Sequence, residues 1–290
     1  MATMAETSTV SEIYSGPIVD LHTHPRLAGF PAIRRKRHRL VDYLAAARGL
    51  DVRAAAVLVM APRGDLASTR RMNDRVLALA PQASPELLPF CSVHPADGAE
   101  ALAEVDRVAS KGARGLKLHP NTQQFDVADP AVREVVARAA DRGLPVLFDA
   151  YSPFDAGQPG KFVRLAIEVP KARLILAHAH GPHFADLLVY EVLARYDWWQ
   201  RNVWVDLSAT GPLLAESPFR EQFLWVLRKV GVDRLLFGSD YPLDEPRHAV
   251  EAIAGLGFTS SELARIFYAN AAQLLGLPTR PRRRLRPAVR

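Results

Sequence analysis

The chain has 290 residues, of which 49% are hydrophobic and 23% charged, enough to bury the core of one large α/β domain or of two smaller ones. Its formal net charge of +6 suggests a polyanionic partner until the charges are placed: Arg280, Arg282, Arg283, Arg284, Arg286 and Arg290 close the sequence, and without them bases and acids balance at 31 each. The body is therefore neutral, which removes the charge argument for a nucleic-acid binder, and the Pro- and Arg-rich end 278–290 reads as a solvated, disordered tail.

Residues 1–15, beginning MATMAETSTVSE, carry acids and no apolar stretch, so they read as an N-terminal extension and not as a secretory signal. No later run approaches the roughly 18 apolar residues of a membrane span. Instead, short apolar runs recur at 18–21, 54–60, 87–93, 113–118, 144–148, 172–177, 203–207 and 234–237. They are continuously apolar, as parallel strands covered on both faces are. Helical patterns fill the gaps at 39–48, 69–79, 99–110, 130–141, 161–169, 184–196, 218–230, 247–254 and 261–275. The i, i+3, i+4 spacing is clearest in Leu102, Val105 and Val108 and in Val132, Val135 and Val136. Gly49, Gly112, Gly143 and Gly231 stand where helices would end before the next strand. Eight β/α units without a linker predict a single-domain (β/α)8 TIM barrel over 16–277, with a doubly wound open sheet as the alternative. Cys91, the only cysteine, lies in the apolar run LLPFCSV. It reads as a buried thiol, and the lack of a disulfide partner leads us to expect a cytoplasmic protein.

In a TIM barrel the C-terminal ends of the strands carry the reacting groups. The first strand ends VDLHTHP, and residues two apart on a strand share a face. His22 and His24 can thus grip one metal ion, although a lone His-x-His is a weak signal that structural pairs also satisfy. The third exit gives His94-Pro95. The fourth gives GLKLHP, with Lys117 and His119 on one face, and the fifth Phe148-Asp149-Ala150-Tyr151. The sixth reads His178-Ala179-His180-Gly181, the seventh Asp206-Leu207-Ser208, and the eighth Gly238-Ser239-Asp240-Tyr241-Pro242. Of the nine histidines, His22, His24, His94, His119, His178 and His180 all fall at these exits. That clustering favours a metal site over a chance pair.

The segments VDLHTHP, GLKLHP, GLPVLF, LILAHAHG, WVDLSA, DRLLFGSDYP and NAAQLLGL, which run from residue 18 to about 277, resemble the amidohydrolase superfamily. The resemblance is to its amidohydrolase-related branch, which includes picolinate-pathway semialdehyde decarboxylases, resorcylate decarboxylases and pyrone-dicarboxylate lactonases. It implies a barrel holding one or two divalent ions. His22, His24 and Asp240 would be ligands, and His178 either a second-metal ligand or an acid/base residue. An ion with an open position lowers the pKa of bound water toward 7, and Asp240 can orient or deprotonate that water. The plain alternative for Asp240 is a turn residue before Tyr241-Pro242.

One departure stands out. The branch carries a histidine after a P-V-L-x phrase at the end of the fifth strand, whereas this chain reads Pro145-Val146-Leu147-Phe148-Asp149. Asp149 can still bind metal through oxygen, which moves preference from Zn²⁺, the first expectation, toward Mn²⁺ or Mg²⁺. Lys117 corresponds either to the carboxylated, metal-bridging lysine of binuclear members or to an unmodified lysine. In the latter case it would pair with Asp149 or bind a substrate carboxylate.

His180 shares the face of His178 and reads as a second acid/base or substrate contact. His119, either pocket lining or structural, joins Tyr151 and Arg26 among the expected substrate contacts, while His94 reads as a structural hydrogen-bonding residue. Asp206 and Ser208 either orient a histidine or cap locally, and nothing in the sequence marks a partner that would make Ser208 a nucleophile. The bases Arg34, Arg35, Lys36, Arg37 and Arg39 form either a solvated face or a border that draws in an anionic substrate. The loop 151–160 suits a pocket wall, and Trp198-Trp199 suit packing or a homo-oligomer contact. The expected function is metal-dependent hydrolysis of a small, anionic amide, cyclic amide or ester/lactone. The alternatives are a metal-dependent non-oxidative decarboxylase of an unsaturated or aromatic acid, and a metal-free lactonase-like or non-catalytic binding protein.

Overall fold

Eight parallel strands pair in chain order into one sheet: β1 Ile18–Thr23, β2 Val52–Leu58, β3 Glu86–Cys91, β4 Gly115–Leu118, β5 Val146–Asp149, β6 Leu174–Ala177, β7 Val203–Asp206 and β8 Leu235–Leu236. The computed structural model describes residues 14–27, 38–79 and 85–278. Every expected strand is present, shifted at its ends by a few residues. The sheet curls until its edges meet, and the seam is made by hydrogen bonds beyond the short β8. Leu21 N–H donates to the Phe237 carbonyl at 3.0 Å, Asp240 N–H to the His22 carbonyl at 2.7 Å, and His24 N–H to the Tyr241 carbonyl at 2.6 Å. The fold is therefore the single-domain (β/α)8 barrel that the apolar rhythm predicts.

The outer helices include Leu40–Ala46, Leu66–Leu77, Ala99–Ser110, Pro130–Asp141, Gln158–Glu168, Arg220–Val230 and Pro246–Gly255. Two of them, Ala99–Ser110 and Pro130–Asp141, have the predicted bounds, because a polar or glycine start and a clean apolar stripe define both ends. The helix expected over 184–196 differs. A tight 3-10 stretch, His178–Leu187, with Pro182 and a run of positive-φ residues in its first half, precedes a short α-helix, Leu188–Leu193. The helix expected over 261–275 is broken by a wider turn at Arg265–Ala269. Two short helices at strand exits, Pro120–Gln123 and Thr210–Ala215, had no periodic signal to announce them. The basic run 34–37 and all but the first residue of the tail 278–290 lie outside the described residues.

The core has two layers. Outward-facing strand residues pack on the helices, while Val19, Leu21, Ala54, Ala56, Leu58, Leu88, Phe90, Leu147, Ile175, Ala177 and Leu236 fill the barrel. Tyr268, Ala271, Ala272, Leu274 and Leu275 close that inner layer from below. Arg114 and Arg173 hold this plug by donating to the Leu275 and Leu274 carbonyls, each at 2.8 Å.

A β-bulge in β1 then decides where the histidines point. Asp20 pairs with Ala55 and Thr23 with Val57, so three residues of β1 advance against two of β2. Without the bulge, His22 would follow Asp20 toward the helix layer, where Asp20 accepts a hydrogen bond from Tyr43 Oη. The extra residue turns His22 and His24 into the barrel mouth above Leu21.

Candidate metal centre and active site

His22 is held from β7, the strand next but one across the seam. Its Nδ1–H donates to Asp206 Oδ2 on β7 at 2.7 Å, and both residues are fully buried. That bond leaves the lone pair on Nε2, facing the cavity. Ser208 Oγ–H donates to the same Asp206 oxygen at 2.9 Å, so its own oxygen accepts from His178 Nδ1–H at 3.1 Å. Burial, and then the nearby Lys117 ammonium, holds His22 well below the usual histidine range. Burial and the neighbouring His22 do the same for His24. Both rings are neutral near pH 7, the state that binds metal.

The donors converge. His22 Nε2 and His24 Nε2 lie 3.1 Å apart, and Asp240 Oδ1 is 3.5 Å from the first and 3.8 Å from the second. A triangle with those three sides has its corners about 2.0 Å from a common centre, which matches the ~2.0–2.2 Å reach of zinc–nitrogen and zinc–oxygen bonds. His178 stands beside these donors, with one atom each of His22, His178 and Asp240 within 4.8 Å of one another. The residues therefore fit a divalent ion. One neighbour constrains it: the buried Lys117 Nζ lies 3.3 Å from His22 Nε2 and must release that lone pair before an ion can use it. Burial lowers the Lys117 pKa, against the pull of Asp149, Asp240 and Asp206, and so reduces the cost of losing its proton.

Asp240 is set by backbone. It occupies a left-handed conformation, φ 55°, which aspartate tolerates better than most residues. Its N–H is tied to the His22 carbonyl. Next to it, Ser239 donates through N–H and Oγ–H to the Asp20 carboxylate at 2.9 and 2.7 Å. The turn after β6 is also left-handed at His178, Ala179, His180 and Gly181, and Thr210 Oγ–H secures it on the His178 carbonyl at 2.6 Å.

The remaining expected site residues separate into two groups. Asp149 and His119 line the same cavity of about 410 Å³ as His22, His24, His178 and Asp240, together with Met60, Thr122, Pro242 and Leu243. Asp149 Oδ2 meets His178 Nε2 at 3.2 Å and His119 Nε2 at 3.4 Å. It forms no ion pair with Lys117 within 4.0 Å, which corrects the expectation that an unmodified lysine pairs there. The second group points elsewhere. His180 was expected to share the face of His178, but the strand ends at Ala177 and the left-handed turn rotates it away. Its Nδ1–H donates to the Ala150 carbonyl at 2.8 Å and its ring lies 6.0 Å from Phe162. Tyr151 covers Gly181, where a Cβ would meet its ring at 2.9 Å. Arg26 is exposed and paired through backbone with His38, outside the cavity lining. His94 has a structural place, its Nε2–H donating to the Gln123 carbonyl at 2.6 Å.

A family model described as amidohydrolase matches residues 19–277. The chain belongs to the amidohydrolase family. No protein of curated function matches its sequence. Among solved structures, 2,6-dihydroxybenzoate decarboxylase from Rhizobium superposes with a TM-score of 0.69 at 17% identity, over 91% of this chain and 99% of that one. The 5-carboxyvanillate decarboxylase of Sphingomonas paucimobilis gives 0.66 at 14%, over 90% and 99%. A candidate 2-pyrone-4,6-dicarboxylic acid hydrolase from Pseudomonas putida gives 0.64 at 21%, over 89% and 97%. At these identities the likeness establishes the barrel. Membership of the amidohydrolase family makes the protein an enzyme of the amidohydrolase type, in a family that is generally metal-dependent and acts on small molecules. Among the described residues no helix is long and apolar enough to cross a membrane.

Proposed function

We propose that this amidohydrolase is a metal-dependent hydrolase of a small amide, cyclic amide or ester/lactone. One observation carries the reading: His22, His24 and Asp240 converge at bonding distance from one point on the floor of a small-molecule-sized cavity. These three residues would hold the ion, Zn²⁺ first, with Mn²⁺ or Mg²⁺ as alternatives. Such an ion, when bound, supplies Lewis acidity and an acidified water.

The chain's own residues divide the proton work. Without metal, burial pushes the Asp240 carboxyl up to about 6, against the pull of His178 and Lys117, and its carboxylate would take up the proton. Burial opposes a charge on His178, but its hydrogen bond to Asp149 and the charges of Asp240, Asp149 and Asp206 prevail and raise it to about 9. His178 is thus an N–H donor poised to protonate a leaving group. The charge of His178 beside the donors suits a substrate that is itself anionic. The same donor could deliver its proton to carbon, which favours decarboxylation of an unsaturated or aromatic acid as the second reading. A cytoplasmic location and a homo-oligomer, with the half-exposed Trp198 and Tyr196 as a contact, complete the proposal.

The test uses chelator-stripped protein, reloaded with one equivalent of Zn²⁺, Mn²⁺ or Mg²⁺. It is assayed on a panel of lactones, cyclic amides and aromatic acids, following acid release and CO₂ together. Metal-dependent acid release without CO₂ is expected. CO₂ release without water consumption would favour the lyase, and full activity after exhaustive chelation would overturn the metal-dependent reading.

A further inference from the structure

Asp149 stands where the family resemblance implied a metal-binding histidine, and its surroundings give it other work. Its ion pairs among the described residues are made by one oxygen, Oδ2, with His178 Nε2 at 3.2 Å and His119 Nε2 at 3.4 Å. Neither His22 nor His24 brings a nitrogen within 4.0 Å of it.

The hydrogen-bond partners of the two rings fix which nitrogens carry protons. His119 Nδ1 accepts the Thr122 backbone N–H at 3.4 Å, so it is a lone pair and the ring proton is on Nε2, facing Asp149. His178 Nδ1 lies 3.3 Å from the Ser208 carbonyl, which can only accept, and 3.1 Å from a Ser208 hydroxyl already donating to Asp206. Nδ1 of His178 therefore carries a proton, and its Nε2 meets the Asp149 carboxylate as a second donor. Both Nε2 atoms thus face one carboxylate oxygen, His178 as a hydrogen-bonding partner and His119 at ion-pair distance. An ion placed there would have to share an oxygen that both rings already face.

We infer that Asp149 is a positioning residue and not a metal ligand: its Oδ2 couples His178 at the cavity floor to His119 on the cavity wall, and it holds both rings with Nε2 protonated. The inference rests on the metal-site reading above only in saying where the metal is not. It replaces the expectation that Asp149 completes the metal shell, and it gives His119 a definite tautomer and role. A strand-five histidine could not serve in its place, because a neutral ring offers one acceptor and carries no charge to hold two N–H donors.

Two measurements test it on the full chain. The first is titration of chelator-stripped protein with Zn²⁺ for wild type, Asp149→Asn and His24→Ala. Asp149→Asn is expected to keep the wild-type stoichiometry with an affinity within about threefold, while His24→Ala loses at least tenfold, the scale on which even outer partners of ligands act. A loss in Asp149→Asn as large as in His24→Ala would make Asp149 a ligand and overturn the inference. The second is ring ¹⁵N–¹H correlation spectra of ¹⁵N-histidine-labelled wild-type protein without metal, assigned with His119→Gln and His178→Gln. They are expected to show His119 protonated on Nε2 and His178 on both nitrogens. Protonation of His119 on Nδ1 would overturn the coupling, whether or not Asp149→Asn folds. If wild type binds no Zn²⁺, the metal-dependent hydrolase reading fails, and the ring spectra still decide the role of Asp149.

Discussion

The rings and carboxylates of this site are set in pairs between strands of the barrel, and the tightest pair joins β1 to β7: His22 Nδ1 and Asp206 Oδ2 lie 2.7 Å apart with both side chains buried. The bond selects the tautomer of His22, and through it decides whether Nε2 can accept an ion. Burial raises the Asp206 carboxyl, but the charges of His178 and Lys117 and the hydrogen bonds of Ser208 oppose the rise.

Asp206→Asn should expose that dependence. An asparagine keeps its oxygen for the Ser208 N–H, which donates to Oδ1 at 2.9 Å in the present arrangement. Its amide would then face His22 Nδ1 as a donor, drive the ring proton to Nε2 and block the lone pair. Zn²⁺ affinity is expected to fall by about 10–100-fold, with little change in the urea midpoint. Calorimetric titration and urea unfolding on the same preparation check both parts; unchanged affinity would mean that Asp206 does not set the tautomer.

How much of this was legible in the residues differs from place to place. The barrel was readable because both-face burial leaves a simple trace, an unbroken apolar run such as Leu174–Ala177. The His22/His24 pair was readable because period two needs only the residues themselves. The bulge that turns the pair inward was not, since it is a mismatch between Asp20–Thr23 and β2 that neither strand records alone. His180 was placed beside His178 by the same period-two rule, which stops at Ala177, where the strand stops. The Asp20–Ser239–Tyr43 network that fixes the Asp240 turn was also missed. Asp20 lies within the motif VDLHTH, but its partners are 23 and 219 residues away.

The glycine of the FGSDYP turn is a second point of control. A Cβ on Gly238 would sit 2.5 Å from the His22 Cβ and 2.7 Å from Asp206 Oδ1, so alanine cannot enter without parting that pair. Gly238→Ala is expected to lower stability by about 1–3 kcal/mol, as overpacking does, and to weaken Zn²⁺ binding as Asp206→Asn does. Urea denaturation with parallel metal titration measures both. Wild-type metal affinity in a folded Gly238→Ala protein would show that the contact is absorbed elsewhere.

Replacing both converging histidines tests the site itself. His22→Ala with His24→Ala removes two of the three donors that lie 3.1–3.8 Å apart, and stoichiometric metal should be lost altogether. Elemental analysis of protein purified without chelator reads the result. One metal per chain retained by the double variant would place the ion elsewhere.

The pH dependence of stability follows from His178, whose folded value of about 9 lies above its unfolded value near 6.5. Folding therefore favours the protonated ring. The stabilisation this confers is fully present below about pH 6.5 and is lost as pH rises through about 9. Other buried groups also titrate: Asp20, pushed up to about 7 by burial, adds a loss of the same sign. His22 and His24, held low by burial, add stability that disappears as pH falls. The difference between wild type and His178→Gln removes these shared terms. In chelator, that difference should be larger at pH 6 than at pH 10 by on the order of 2 kcal/mol. Urea unfolding at pH 6, 7.5, 9 and 10 traces it. A difference that stays level across the range would mean that His178 folds as the neutral ring, and the acid role assigned to it would go to another group.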